Sequence, residues 1–166
     1  MGMLTHIVAH SEQVGRVALA IVDHMNPPNG NPDRDLVLAA ALLHDITKTR
    51  SFDTGEDHAR TGAQFLKERG YPDVGRIVGQ HVRLRSYFRE EGPDEAEIIN
   101  YADKRVLHDR VVSLDDRMAY IVERYGGQPD LDAKLKWLLE QSRLLEQRLF
   151  DYIDFAPAEL TQYIIP

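Results

Sequence analysis

Between its glycines and prolines the chain repeats apolar residues at steps of three and four. Nowhere do apolar and polar residues alternate for long enough to make a sheet strand. That pattern predicts an all-α fold, a compact bundle of about seven helices. The first runs over Met3–Met25, with Ile7, Val14, Val17, Ala18, Ile21 and Val22 on its inner face. After a Pro- and Gly-containing loop, Asn31 is the expected cap of a second helix, with Pro32 in its first turn. That helix carries Leu36, Leu38, Ala41 and Leu42 to about Ile46. It is apolar nearly all round, so it is expected to lie buried at the centre. Thr54-Gly55-Glu56-Asp57 resembles a capping box, opening a third helix that ends near Gly70. Pro72, Gly92-Pro93 and Ser113–Asp116 open three more, and the sixth stops at Gly126-Gly127. Asp130 is the expected cap of a long last helix, with Leu131, Leu135, Leu138, Ser142, Leu145, Leu149 and Tyr152 in one stripe. From Phe155 the chain is expected to be irregular.

The 166 residues make one domain's worth of chain, expected as a single unit over 1–166. With Lys+Arg 20 and Asp+Glu 27 the formal charge is −7, which argues against general nucleic-acid binding. The longest apolar run, Leu36–Leu43, is too short to span a bilayer. No membrane association is expected, and the cytoplasm is the default address. The chain has no Cys but seven His. Any metal site must therefore be built from imidazole and carboxylate.

Several of these polar groups fall on apolar helix faces. His10 precedes Val14 and Val17 at helical spacing. His44-Asp45 closes the most hydrophobic helix. His58 shares a face with Gly62, Phe65 and Leu66, His81 with Val74, Ile77 and Val78, and Asp103 with Ala96, Ile99 and Val106. Taken alone, an inward His reads as a core histidine bonded to a carbonyl. A buried carboxylate is harder to accommodate without a partner, which could be an Arg or a helix end. Four His and two Asp pointing inward together suit a divalent or iron-type cation. At a helix end His44 and Asp45 could reach one ion. The two oxygens of Asp45 could bridge two, with His10 and Asp103 completing one centre and His58 and His81 the other.

These residues resemble the HD-domain metal-dependent phosphohydrolases, whose pattern is H…HD…D on a helical core. The segments HSEQVGRVA, AALLHDITK and IINYADKRV are similar to the three motif regions of that family. The resemblance covers about residues 3–110, with helices over 113–154 and a tail over 155–166 beyond it. His58 and His81 resemble the extra ligands of the two-metal subset. Successive spacings from His10 to Asp103 are 34, 14, 23 and 22 residues, and the last two look most like those of a bacterial branch that hydrolyses diadenosine tetraphosphate. Here ADKRVLHD stands in place of that branch's fuller final motif.

The resemblance implies a phosphohydrolase that uses a metal-activated water on a small anionic phosphorylated substrate, a nucleotide or dinucleotide. It implies one or two ions (Fe, Mn, Co, Ni, Zn or Mg) on His10, His44, Asp45, His58, His81 and Asp103. Catalytic roles fall to Asp45 and Lys48, the latter binding phosphate or assisting proton transfer. Basic residues follow the ligands in sequence: Lys48, Arg50, Arg83, Arg85 and Lys104 are the expected phosphate-binding set. The same ligands also occur in di-iron oxygenases on this scaffold, and a nucleotide sensor with little turnover is a third reading. His6, one turn before His10, reads as a pocket or surface residue; His24 and His108 read as structural or exposed. The long last helix could pack within the domain or form a homodimer.

Overall fold

The computed structural model describes residues 2–85, 92–127 and 129–165. Its elements are α1 (Thr5–His24), α2 (Arg34–Leu43), α3 (Lys48–Thr54), α4 (His58–Glu68), α5 (Pro72–Val78) and α6 (Glu95–Lys104). There follow a two-residue hairpin, β1 (Val106–Leu107) with β2 (Arg110–Val111), then α7 (Leu114–Tyr125), α8 (Pro129–Phe150) and a 3₁₀ turn over Pro157–Tyr163. The fold is all-α, with eight α-helices among the described residues rather than seven. The hairpin is antiparallel, pairing Val106 with Val111 and Leu107 with Arg110. No described helix is long and apolar enough to cross a membrane.

Helix ends follow local polar chemistry. The cap of α2 is Asp33, not Asn31. Its carboxylate accepts from the amides of Asp35 and Leu36, both at 3.0 Å, and a charged acceptor on two orphan amides outcompetes the neutral side chain upstream. The helix ends at Leu43, three residues before the expected stop. The extra helix α3 buries no residue, so no apolar period marked it in the sequence. Thr54 therefore ends a helix instead of starting one. Gly55 terminates α3 at φ 68°, a left-handed conformation open to glycine, and returns its N–H to the Ser51 carbonyl. Asp57 alone caps α4, accepting from the Arg60 amide. Helix α6 begins with a full capping box between Asp94 and Glu97. Ser113 caps α7 as expected. Helix α8 starts at Pro129, so Asp130 lies in its first turn.

One buried cluster draws on α1, α2, α4, α5, α6, α8 and the tail, including Val14, Ile21, Ala40, Leu66, Ile77, Ile99, Leu145 and Leu160. Helix α2 is less enclosed than its composition suggests. Only Val37, Ala40 and Ala41 are buried, and Leu42 is 39% exposed. The tail is ordered: Leu160 is buried, and Tyr163 stacks on Phe155 at 3.8 Å against His24. Arg105, at the end of α6, binds the hydroxyl of Tyr101, Glu146 of α8 and the carbonyls of Val112 and Pro157. This one side chain ties the helix bearing Asp103 to α8 and the tail.

Helices α4 and α5 approach closely where Gly75 faces the backbone of α4. A Cβ at Gly75 would stand 2.7 Å from the Ala63 carbonyl oxygen, which cannot move without moving the helix. Gly75→Ala is expected to destabilise the fold by about 1–3 kcal/mol through overpacking. The check is a lowered urea midpoint with an unchanged m-value.

Candidate metal centre

The chain brings all six predicted side chains to one place, five of them at or close to helix ends. His10 lies mid-way along α1. His44 and Asp45 occupy the turn after α2. His58 is the first residue of α4, and Asp103 is next to last in α6. His81 lies three residues beyond the end of α5, in a turn, so it does not extend the face of Val74, Ile77 and Val78 as periodicity suggested. His10, His44, Asp45 and His81 are buried, while the side chains of His58 and Asp103 keep 24% and 16% exposure.

Three rings are held in the same way. The Nδ1–H of His10 donates to the His108 carbonyl at 2.8 Å, that of His44 to Ala41 at 2.7 Å, and that of His81 to Val78 at 2.7 Å. A carbonyl only accepts, so each Nδ1 carries a proton and, in the neutral ring that a metal requires, each Nε2 presents a lone pair. Those lone pairs converge. His10 Nε2 lies 3.0 Å from Asp103 Oδ1, and His44 Nε2 lies 3.7 Å from the same oxygen and 3.4 Å from Asp45 Oδ2. His58 Nε2 and His81 Nε2 are 3.1 Å apart, and lie 3.3 and 3.5 Å from Asp45 Oδ1. Asp45 thus turns one oxygen to each side.

Two groups of ligand atoms fall within 4.8 Å: those of His10, His44 and Asp45, and those of Asp45, His58 and His81. His44 Nε2 and Asp45 Oδ1 are buried without any hydrogen-bond partner. Burying such acceptors unsatisfied is costly, and acceptors facing acceptors repel. A cation between them answers both problems, so the donor set fits a metal, in either group. Burial pushes Asp45 towards the neutral form, but positive charge on the surrounding imidazoles, His44 first, holds its carboxyl well below the ordinary range; burial likewise lowers His44, but Asp45 raises it overall, so this pair carries charge that an ion would replace. Burial opposes ionisation of Asp103 too, and His10 and His44 keep it ionised. Burial lowers His81, favouring the neutral ring a metal requires.

Neighbouring residues hold the turns. Thr47 Oγ1 donates to the His58 carbonyl at 2.8 Å, fixing the start of α4. Asn100 donates to the carbonyls of Gln80 and His81, both at 2.9 Å, pinning the His81 turn to α6. Sequence reasoning did not single out Asn100, although it sits one turn before Asp103 as a polar residue on a buried helix. The His108 carbonyl left no signal, being a main-chain atom; His108 itself stands at φ 57° with its ring exposed beside Tyr120.

The predicted cations separate. Lys48 Nζ lies 2.7 Å from Asp45 Oδ2, at the centre. Arg50 is paired with Glu56 at 2.6 Å. Arg83 and Arg85 are exposed in the segment after His81. Lys104 is buried, bonded to the carbonyl and side chain of Asn100 and the carbonyl of His81, and burial pushes its pKa down to about 8. It faces into the turn and not towards an incoming anion. His6 is exposed.

A family model described as HD domain matches residues 7–106. Among curated relatives, the chain is 32% identical over 143 residues to tRNA (cytidine(56)-2'-O)-methyltransferase of Picrophilus torridus, covering 78% of this chain and 39% of that protein. Its namesake from Thermoplasma volcanium is 37% identical over 82 residues, 49% of this chain and 22% of that protein. Dihydroneopterin 2',3'-cyclic phosphate phosphodiesterase of Methanocaldococcus jannaschii is 30% identical over 112 residues, 59% of this chain and 45% of that protein. The chain therefore spans less than half the length of these relatives. No solved structure matches it.

Proposed function

The chain belongs to the HD-domain family, and from that premise we propose that it is a metal-dependent phosphohydrolase acting on a small phosphorylated substrate that contains a nucleotide-like ring. The observation that carries this reading is the pair of buried, partnerless acceptors, His44 Nε2 and Asp45 Oδ1, at the meeting point of two ligand groups. The reading gives the first ion to His10, His44, Asp45 and Asp103 and the second to Asp45, His58 and His81. When bound, such a pair supplies an activated water at neutral pH and neutralises phosphoryl charge. Asp45 holds both halves in register, and the three pinned rings keep their lone pairs aimed without reorganisation.

Lys48 is the cation assigned to the substrate's phosphoryl oxygens, kept at the centre by its bond to Asp45. Arg83 and Arg85 are assigned to the remaining negative charge. Lys104 is assigned instead to support of the His81 turn. The relative whose name states phosphodiester hydrolysis is the one whose chemistry suits this cluster, so a phosphodiester, cyclic phosphate included, is the preferred substrate class.

The test is elemental analysis of the purified chain with a screen of phosphomonoesters, cyclic and linear phosphodiesters and dinucleoside polyphosphates. Turnover abolished by chelator and restored by Mn, Co or Fe is expected. Undiminished turnover in chelator, or consumption of O₂ in place of hydrolysis, overturns the reading. Lys48→Ala is expected to lower kcat/KM about 10²-fold with metal content unchanged. Elemental analysis beside steady-state kinetics separates that outcome from loss of the ions.

A further inference from the structure

We propose that the groove between α4 and α5 is an anion site that takes a short chain of linked phosphates through its charge alone. It does not depend on the hydrolase reading: none of the centre's six predicted ligands lines the groove, and the binding needs no metal ion. The groove has a volume of about 650 Å³, within the range of small-ligand sites.

Its shape follows from the residues of the two helices. Ala63 of α4 and Gly75 of α5 line it where the helices come together, so closely that a Cβ on Gly75 would stand 2.7 Å from the Ala63 carbonyl oxygen. Longer side chains line it from either helix. Arg60, Gln64 and Lys67 share one face of α4, and Arg60 and Lys67 are about 10 Å apart along the axis. Arg76 contributes from α5, and Arg85 adds a fourth cation from the segment after His81.

Four exposed cations thus line one groove of a chain whose net charge is −7, and no acidic side chain lines it with them. Among the described residues Arg60, Lys67 and Arg85 form no ion pair, and Arg76 has a loose one, 3.6 Å from Glu95. Glu68, at the end of α4, accepts from Gln64 at 2.7 Å. Like charges grouped in this way repel one another, and a bound anion offsets the repulsion. At physiological ionic strength charges more than about 8 Å away are largely screened, so the groove keeps its own positive sign in an acidic protein.

The lining also selects among anions. Guanidinium forks suit phosphate oxygens. No aromatic side chain lines the groove, so a base would find no ring to stack on, and a longer nucleic-acid strand would run on over a chain that is acidic overall. An extended acidic peptide sets its same-side carboxylates about 7 Å apart, too sparse for these cations. Linked phosphates carry charge on every unit, and a triphosphate brings that charge within the span from Arg60 to Lys67.

The wild-type full chain and its Asp45→Asn variant are each titrated calorimetrically with sodium triphosphate in metal-free buffer. One-to-one binding with the same Kd in both, weakened by added salt, is expected. Arg60→Gln and Lys67→Gln are each expected to weaken it about fivefold, and together about 25-fold, since the two sites are far enough apart to act independently. Arg85 is left in place because the hydrolase reading also uses it. In the wild-type chain, without any variant, triphosphate should shift the amide resonances of residues 60–67 and 72–76 most. The inference is overturned by absence of saturable binding, by binding that survives both groove substitutions, or by binding that disappears in Asp45→Asn, which would put the anion at the metal centre. Equal or tighter binding of hexauridylate or hexaglutamate would overturn the choice of linked phosphates. Triphosphate binding without any metal-dependent turnover would leave the groove standing and sink the hydrolase reading instead.

Discussion

Asp45→Asn is expected to abolish metal uptake by the chain and to lower any phosphohydrolase activity by about 10³-fold or more. The reason is its double placement. Oδ2 faces His44 and Lys48, and Oδ1 faces His58 and His81. Asp45 is the residue shared by both ligand groups among the described residues. The substitution keeps the shape but removes the charge that draws an ion into this buried site. It also has a signature in stability. A metal present at a hundred times its Kd stabilises the folded chain by about 2.7 kcal/mol, which for a chain this size raises Tm by about 5–10 °C. Wild type should show that rise on adding metal, and Asp45→Asn should not. In chelator the two should melt much closer together. Elemental analysis and thermal melts with and without metal check both statements, and a variant that retains its full metal content refutes the bridging role.

His81→Ala and His58→Ala are each expected to take the metal content from about two ions per chain to about one, and to lower activity about 10²-fold. The remaining ion keeps His10, His44, Asp45 and Asp103. The two variants should differ in stability. His81 is buried and bonds to the carbonyl of Val78, with Asn100 and Lys104 packed on its turn. His58 is 24% exposed on its side chain and starts a helix already capped by Asp57. His81→Ala should therefore lower Tm more. A metal ratio unchanged in both variants would rule out the second group as a ligand set.

The fold class was legible because helical periodicity needs only apolar spacing. What escaped it was what spacing does not encode. Helix α3 has no buried face, so no period announced it. The end of α2 was set by the ring of His44 taking the Ala41 carbonyl, a side-chain event inside an apolar run. In the centre, the residue types and their inward positions pointed to the right neighbourhood, because a buried carboxylate and a buried imidazole each need an explanation. The groups that aim the rings were invisible, since the carbonyls of Ala41, Val78 and His108 belong to every sequence alike. The cations show the limit most clearly: Lys48 and Lys104 each follow a predicted ligand by a few residues, yet one reaches the centre and the other is folded under a turn.

His44 and His81 have one further property in common. Each donates to a carbonyl three residues earlier at the end of its helix, where partners for carbonyls run short; the Val78 carbonyl also accepts from the His81 amide at 3.3 Å. The ring that faces the cluster is thus also the latch on the last turn of α2 or α5. Occupancy by an ion and fraying of those turns are two faces of one equilibrium, and such coupling works in both directions. A lesion that loosens the foot of α5, without touching any ligand atom, would surface as poorer cation retention.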